Sequence, residues 1–169
     1  MRKTIEVVDD FYRDPHARRE QLLAQGAAAS GGSAAPDAEA RMRLAGLLGC
    51  TEAALPEMTG RLTHVGADGE EEGGAPHAYD SAWAALVCLA LPEGRFPGGI
   101  GFYRPAAAAG RNPGAEHWEE TVYVPLTFNR MVLFHGAVAH RYTVRSIDGG
   151  PVDDRMAQLF LFDEPDGGR

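Results

Sequence analysis

The spacing of the hydrophobic residues changes about a third of the way along the chain. Before that point, apolar positions at helical spacing predict helices at residues 16–24 and 37–48. Asp14 and Pro15 provide an N-cap and a first helical position for the earlier helix, and Gly49 ends the later one. The N-terminal third is therefore predicted to be mainly helical.

From Met58 onward the pattern is that of β-strands. Short alternating or wholly apolar runs are separated by glycine, proline and acidic residues. With one strand that precedes the helices, the predicted strands are residues 4–8, 60–65, 82–91, 100–103, 118–124, 130–134, 138–144 and 156–162. This order indicates one mainly β domain of the α+β class, residues 1–169, in which the N-terminal helices pack on a cupin-type jelly roll.

Composition narrows the classes of function. The 169 residues carry a formal net charge of −8, which attracts neither nucleic acid nor an anionic membrane. No apolar run has the length needed to cross a bilayer, and the basic N-terminus is not followed by the apolar region of a signal peptide. Only Cys50 and Cys88 are present, which favours reduced thiols and a cytoplasmic protein.

Two histidines and a carboxylate are the strongest candidates for chemistry. His140 follows a buried apolar strand, and His77 lies upstream with Asp80 beside it. Two imidazoles and one carboxylate suit a non-haem iron(II) centre with open coordination positions. Arg155 opens the last apolar strand, and its guanidinium group suits the carboxylate of an acidic co-substrate.

The spacing between His77 and Asp80 is irregular for a strand. On a regular strand the side chains of residues i and i+2 point to the same face. His77 and Asp80 are three residues apart, so their side chains would point to opposite faces. Asp80 is the preferred third ligand, through a bulge or turn that re-aims it. Two alternatives stay open: the two histidines bind iron with water, an anion or Tyr79 in the third position, or the site has lost its metal.

Several other polar residues are candidates for the pocket. Tyr103 is either a core residue or a hydroxyl donor to a cofactor, and Arg104 either meets an acidic group of the substrate or is exposed. His135 is an alternative ligand or a pocket-lining residue. Arg141 and Arg145 are alternatives to the arginine of the last strand.

Together these stretches resemble the iron(II)/2-oxoglutarate-dependent oxygenase superfamily, and more narrowly the small bacterial families related to prolyl hydroxylases. The similar pieces, in order, are VVDDF from Val7 with Asp14-Pro15, WAALVCL from Trp83, GGIGFYR from Gly98, and Phe134 through His140 with Arg155. The family has His-x-Asp where this chain has His-x-x-Asp. Counted back from Trp83, Tyr79 stands where the aspartate is expected.

The resemblance implies a double-stranded β-helix that holds iron(II) through His77, Asp80 and His140. It also implies that 2-oxoglutarate is held with Arg155 and Tyr103, and that dioxygen is consumed. The expected reaction is hydroxylation, or else desaturation or cyclisation, of a small molecule such as an amino acid or biosynthetic intermediate. The substrate would contact Tyr79, Arg104 and His135.

Two other kinds of function remain open. One is a cupin-like metalloenzyme that does not use 2-oxoglutarate, and the other is a non-catalytic binding module that has lost the metal site. The sequence leaves the oligomeric state open.

Overall fold

The structure is a computed structural model, and it describes residues 5–25, 34–64, 75–91, 98–106, 117–144 and 156–165. In chain order its elements are β1 (Ile5–Val8), α1 (Pro15–Ala24), α2 (Ala38–Leu48), a 3₁₀ turn (Glu52–Ala54), β2 (Thr59–His64), β3 (Trp83–Cys88), β4 (Gly98–Pro105), β5 (Trp118–Pro125), β6 (Met131–His135), β7 (His140–Val144) and β8 (Met156–Phe162). The expectation of helices followed by strands is confirmed for these residues.

Capping residues fix the ends of both helices. The side chain of Asp14 accepts from Ala17 N at 3.0 Å, and Pro15 is the first residue of α1. Asp37 caps α2 in the same way, because it accepts from Ala40 N at 2.8 Å. Gly49 ends α2 in the left-handed conformation at φ 70°, which glycine adopts without steric cost.

The strands form two antiparallel sheets. The larger has the order β1-β6-β3-β8-β2, and the smaller has the order β5-β4-β7. Strand β4 is longer than the pattern predicts, because Gly98 and Gly99 also pair with β7. Glycine does not favour a strand, and the residues of β7 that pair with Gly98 and Gly99 are distant in sequence, so the pattern of residues did not predict this extension.

Alternation along the large sheet produces two separate cores. Leu133 of β6 belongs to a cluster with Leu22 of α1 and Leu44 of α2, so the helices cover one face of this sheet. Its neighbour Phe134 belongs to a second cluster with Phe102 of β4, so the small sheet covers the other face. The expectation that the N-terminal helices pack on the β-structure is confirmed, and the second core leads to the two histidines.

Over the described residues, no helix combines the length and the apolar character that a membrane span requires.

Candidate metal site

A pair of backbone hydrogen bonds joins the two histidines. His77 N donates to His140 O at 2.9 Å, and His140 N donates to His77 O at 2.8 Å, so the two residues form an isolated antiparallel bridge. Their imidazole ring centroids are 4.3 Å apart. The structure thus brings these two candidate ligands side by side, and metal binding by them stays a prediction.

The ring of His140 is oriented by a carbonyl group. Its Nδ1 lies 2.9 Å from Val138 O, and since a carbonyl oxygen only accepts, Nδ1 carries the hydrogen. Nε2 is then the nitrogen with the lone pair. His140 is 0% exposed, and its Nε2 has no hydrogen-bond partner among the described residues. An imidazole fixed through Nδ1 with Nε2 available is the arrangement of metal-binding histidines.

Burial also keeps His140 neutral. The pKa of His140 is lowered to about 4, mainly by burial and in smaller part by the neighbouring His77, while the Val138 carbonyl opposes the change. At neutral pH the imidazole is therefore uncharged, which is the form that binds a metal ion.

Tyr79 shares the face of His77. Residues 77 and 79 are half-buried while residues 78 and 80 are exposed, which is the alternation of an extended chain. The Tyr79 ring lies 4.7 Å from the ring of His140 and 5.5 Å from that of His77, centroid to centroid. Its hydroxyl lies 3.0 Å from the hydroxyl of Tyr142.

Asp80 is exposed, whereas His77 is half-buried and His140 is buried. It lies at the start of a bend that runs from residue 80 to residue 82, and its role as the third ligand stays a prediction. Within the described ranges, no group of three or more His, Cys, Asp and Glu residues could hold a metal ion.

Gly136 allows the two segments of the site to approach each other. Its carbonyl accepts from Tyr79 N at 2.8 Å, and its N–H donates to Ala82 O at 3.0 Å. A Cβ atom at this position would clash with the carbonyl oxygen of Ser81. Glycine is therefore needed for the contact that holds residues 77–82 against the turn before His140.

Tyr103 is hydrogen-bonded to side chains of both neighbouring strands. Phe102 is the residue of β4 that packs between the sheets, with its ring 6.5 Å from that of His140, so Tyr103 next to it takes the opposite face. The Tyr103 hydroxyl donates to Glu120 at 2.9 Å and accepts from Arg141 at 3.0 Å. Burial and the bond to Glu120 raise the pKa of Tyr103. The expected contact of Tyr103 with a cofactor stays a prediction and would compete with these bonds.

Arg104 lies at the exposed end of the same strand. Alternation places it on the Phe102 face, but its Nε and Nη2 both donate to Glu119 Oε2, at 2.9 and 2.8 Å. The cross-strand register of β4 and β5 produces this pair. A contact between Arg104 and an acidic substrate stays a prediction and would compete with Glu119.

His135 is separated from the histidine pair by the large sheet. Its ring stacks on Trp83 at 3.8 Å, on the face that carries the helices. The adjacent Phe134 is the residue that reaches His140, at 4.9 Å between ring centroids. His135 thus packs on Trp83 and not on the histidine pair, its contact with a substrate stays a prediction, and Arg155 lies outside the described residues.

Sequence reasoning missed Tyr142. It lies two residues after His140 on β7, so both side chains point the same way, and their ring centroids are 5.6 Å apart. The i, i+2 rule applied to the second histidine would have identified it.

The residues present fit a transition metal in part. Neutral imidazoles suit iron, zinc, copper or nickel, and the lone pair of His140 Nε2 is buried beside a second imidazole. The carboxylate of a two-histidine, one-carboxylate set is not found with them among the described residues. The histidine pair would supply two ligands of such a set, and metal binding by it stays a prediction.

Comparison with known proteins gives a likeness in fold. No protein-family model matches the chain. No curated protein matches it either. Among solved structures, it is similar to the non-heme alpha ketoglutarate dependent epimerase SnoN from nogalamycin biosynthesis, with a TM-score of 0.51 and 16% identity over 95% of this chain and 79% of that chain. The structure of SnoN in complex with Fe3+, alpha ketoglutarate and nogalamycin RO matches with a TM-score of 0.49 and 17% identity over 96% of this chain and 80% of that chain. The chain therefore shares the fold of a non-haem, alpha-ketoglutarate-dependent enzyme.

Proposed function

We propose that this chain is a non-haem iron enzyme of the 2-oxoglutarate-dependent class. In this proposal the two sheets are the halves of a double-stranded β-helix, and His77 and His140 hold iron(II) between them. The substrate is a small molecule such as an amino acid or a biosynthetic intermediate. Hydroxylation is the expected outcome, with desaturation or cyclisation as variants of the same chemistry.

One observation carries the proposal: the buried Nε2 of His140. A buried polar atom without a partner costs about 1–3 kcal/mol, so such an atom calls for an explanation. Protonation does not supply a partner, because burial keeps the imidazole neutral. A metal ion does, and a second imidazole with its ring centroid 4.3 Å away is placed to share it.

Each described residue near the pair has a physical role in this proposal. The Val138 carbonyl fixes the tautomer and orientation of His140. Phe134 and Phe102 pack beside His140 and restrict the access of water. Arg155 is proposed to bind the distal carboxylate of 2-oxoglutarate through its planar guanidinium group. When bound, iron supplies the coordination of 2-oxoglutarate and the activation of dioxygen.

A second candidate function follows from Asp80. Because Asp80 is exposed and no carboxylate forms a metal-binding group with the histidines among the described residues, a cupin-like metalloenzyme that does not use 2-oxoglutarate also fits. Turnover that depends on metal but not on 2-oxoglutarate would favour it. The third candidate, a non-catalytic binding module, requires that no metal binds.

An anaerobic titration tests the proposal. Iron(II) and then 2-oxoglutarate are added to the purified protein while calorimetry records the binding of each and absorbance records the weak visible charge-transfer band. Succinate release is then measured in air. We expect wild type to bind both, and His77→Ala and His140→Ala to lose at least tenfold in iron affinity and to lack the band.

His135→Ala is the matched control, since this histidine stacks on Trp83 across the sheet. It should retain wild-type affinity for iron. Circular dichroism of every variant verifies that the fold is intact. Absence of iron binding by wild type, or equal loss in the control variant, would reject the proposal.

A further inference from the structure

We infer that residue 79, and not residue 80, is the third ligand position of this site, so that the phenol oxygen of Tyr79 stands where a carboxylate would complete the set. This inference rests on the proposed function for the identity of the metal. It concerns the ligand that distinguishes this site from a two-histidine, one-carboxylate centre.

The backbone places residue 79 on the correct side. His77 is held by its reciprocal bonds to His140, and Tyr79 N donates to Gly136 O, so the segment 77–79 lies extended along residues 136–140. On an extended chain, residues i and i+2 share a face. Tyr79 therefore faces the same side as His77, and Asp80 faces solvent.

The side chains converge as this backbone requires. The Tyr79 ring packs with the core between the two sheets, 4.7 Å from the ring of His140 and 5.5 Å from that of His77. Within the described residues, no Asp or Glu forms a metal-binding group of three with the two histidines. The Tyr142 ring lies farther away, 5.6 Å from the ring of His140 and 6.3 Å from that of His77. Tyr79 is the nearer of the two tyrosines.

Tyr142 supports the phenol oxygen of Tyr79. The two hydroxyl oxygens are 3.0 Å apart, so Tyr142 can donate to an anionic oxygen on Tyr79. Hydrogen bonds to a charged oxygen are stronger than neutral ones. A phenolate shares the anionic oxygen of a carboxylate, and tyrosine is an iron ligand in catalase. The site would thus present two imidazoles and one phenol to iron.

The test compares three variants of the full chain under the same conditions. Iron(II) affinity is measured anaerobically by calorimetry, and each sample is then oxidised to iron(III), because a phenolate bound to iron(III) absorbs strongly in the visible region. We expect wild type to show this absorption. Tyr79→Phe, which keeps the ring, should lose the absorption and at least tenfold in affinity.

Asp80→Asn is the matched control and should remain within twofold of wild type with its absorption unchanged. Tyr79→Asp creates the spacing His-x-Asp and should bind iron(II) at least tenfold more tightly than Tyr79→Phe, without the phenolate absorption. A tenfold loss in Asp80→Asn, or wild-type affinity in Tyr79→Phe, would overturn the inference.

The two proposals can fail separately. If wild type binds iron with the phenolate absorption but neither binds 2-oxoglutarate nor releases succinate, the inference stands and the proposed function fails. If wild type binds both iron and 2-oxoglutarate and Tyr79→Phe behaves like wild type, the inference fails and the function stands. Absence of iron from wild type overturns both.

Discussion

Burial controls the ionisation of individual side chains in this protein. Cys88 is 1% exposed, at the end of β3 between the two sheets. Burial raises the pKa of its thiol to about 11, and a backbone hydrogen bond from Ala90 and the charge of Arg130 only partly oppose this. In the unfolded chain the pKa of a cysteine thiol is about 8.5. The two states of the protein therefore release this proton at different pH values.

This difference predicts a loss of stability at alkaline pH. The contribution of Cys88 is fully present below about pH 8.5 and is lost as pH rises toward about 11, because the unfolded chain releases the proton first. The free energy of unfolding should fall by roughly 2–3 kcal/mol more in wild type than in Cys88→Ala over that range. Urea unfolding at a series of pH values measures it.

Cys50→Ala removes the other thiol and is the matched control, since Cys50 is only partly buried. It should follow the wild-type pH dependence. Parallel curves for wild type and Cys88→Ala would contradict the argument.

At the scale of elements, one glycine joins the short segment of His77 to the turn before β7. Gly136→Ala should lower the free energy of unfolding by about 1–3 kcal/mol, because the added methyl group forces the backbone near Ser81 to move. It should also weaken iron binding, since Tyr79 N bonds to the Gly136 carbonyl. Urea unfolding and calorimetry measure the two effects.

A helical glycine provides the comparison. A Cβ added at Gly46, inside α2, meets no atom within 4 Å. Gly46→Ala should therefore raise the free energy of unfolding by about 1 kcal/mol, the usual helix preference for alanine. Equal effects of the two substitutions would show that steric conflict at Gly136 is absent.

Local signals predicted the elements well. Asp14, Pro15 and Gly49 were expected at helix ends and are found there, whereas Asp37, expected as the first residue of the second helix, is its N-cap. The predicted strands agree in place with the observed ones, although β7 begins at His140 and not at residue 138. Residues 136–138 form a turn instead, which positions His140 for its bond to His77.

At the scale of the whole molecule, the sequence predicts only those features of the site that depend on the alternation of residues along one strand. A regular strand would turn Asp80 away from His77, and Asp80 is exposed, while its assignment as a ligand through a bulge or turn stays a prediction. Pairings between distant strands were not available from the sequence. The contacts of Tyr79 with Tyr142 and of Arg104 with Glu119 depend on strand register and on the bridge between the sheets, which non-local packing sets.

A series of buried hydrogen bonds links the helical layer to an inner strand of the large sheet. The hydroxyl of Tyr12, just before α1, donates to Gln158 Oε1 of β8 at 2.7 Å. Gln158 Nε2 donates in turn to Ala34 O at 2.9 Å, and Gln158 is 0% exposed. Segments that are far apart in sequence are thus joined by hydrogen bonds that water cannot replace.

Removing the hydrogen bond at one end of this series should destabilise the whole fold. Tyr12→Phe leaves the buried Gln158 Oε1 without its donor, at a cost of about 1–3 kcal/mol in the free energy of unfolding. Tyr123 is 42% exposed, so Tyr123→Phe is the control and should change the free energy of unfolding by less than about 0.5 kcal/mol. Because the hydrogen bond needs both partners, Tyr12→Phe combined with Gln158→Met should cost less than the sum of the single substitutions. Urea unfolding of the four variants measures this coupling, and strictly additive costs would mean that the two layers are held together by apolar packing alone.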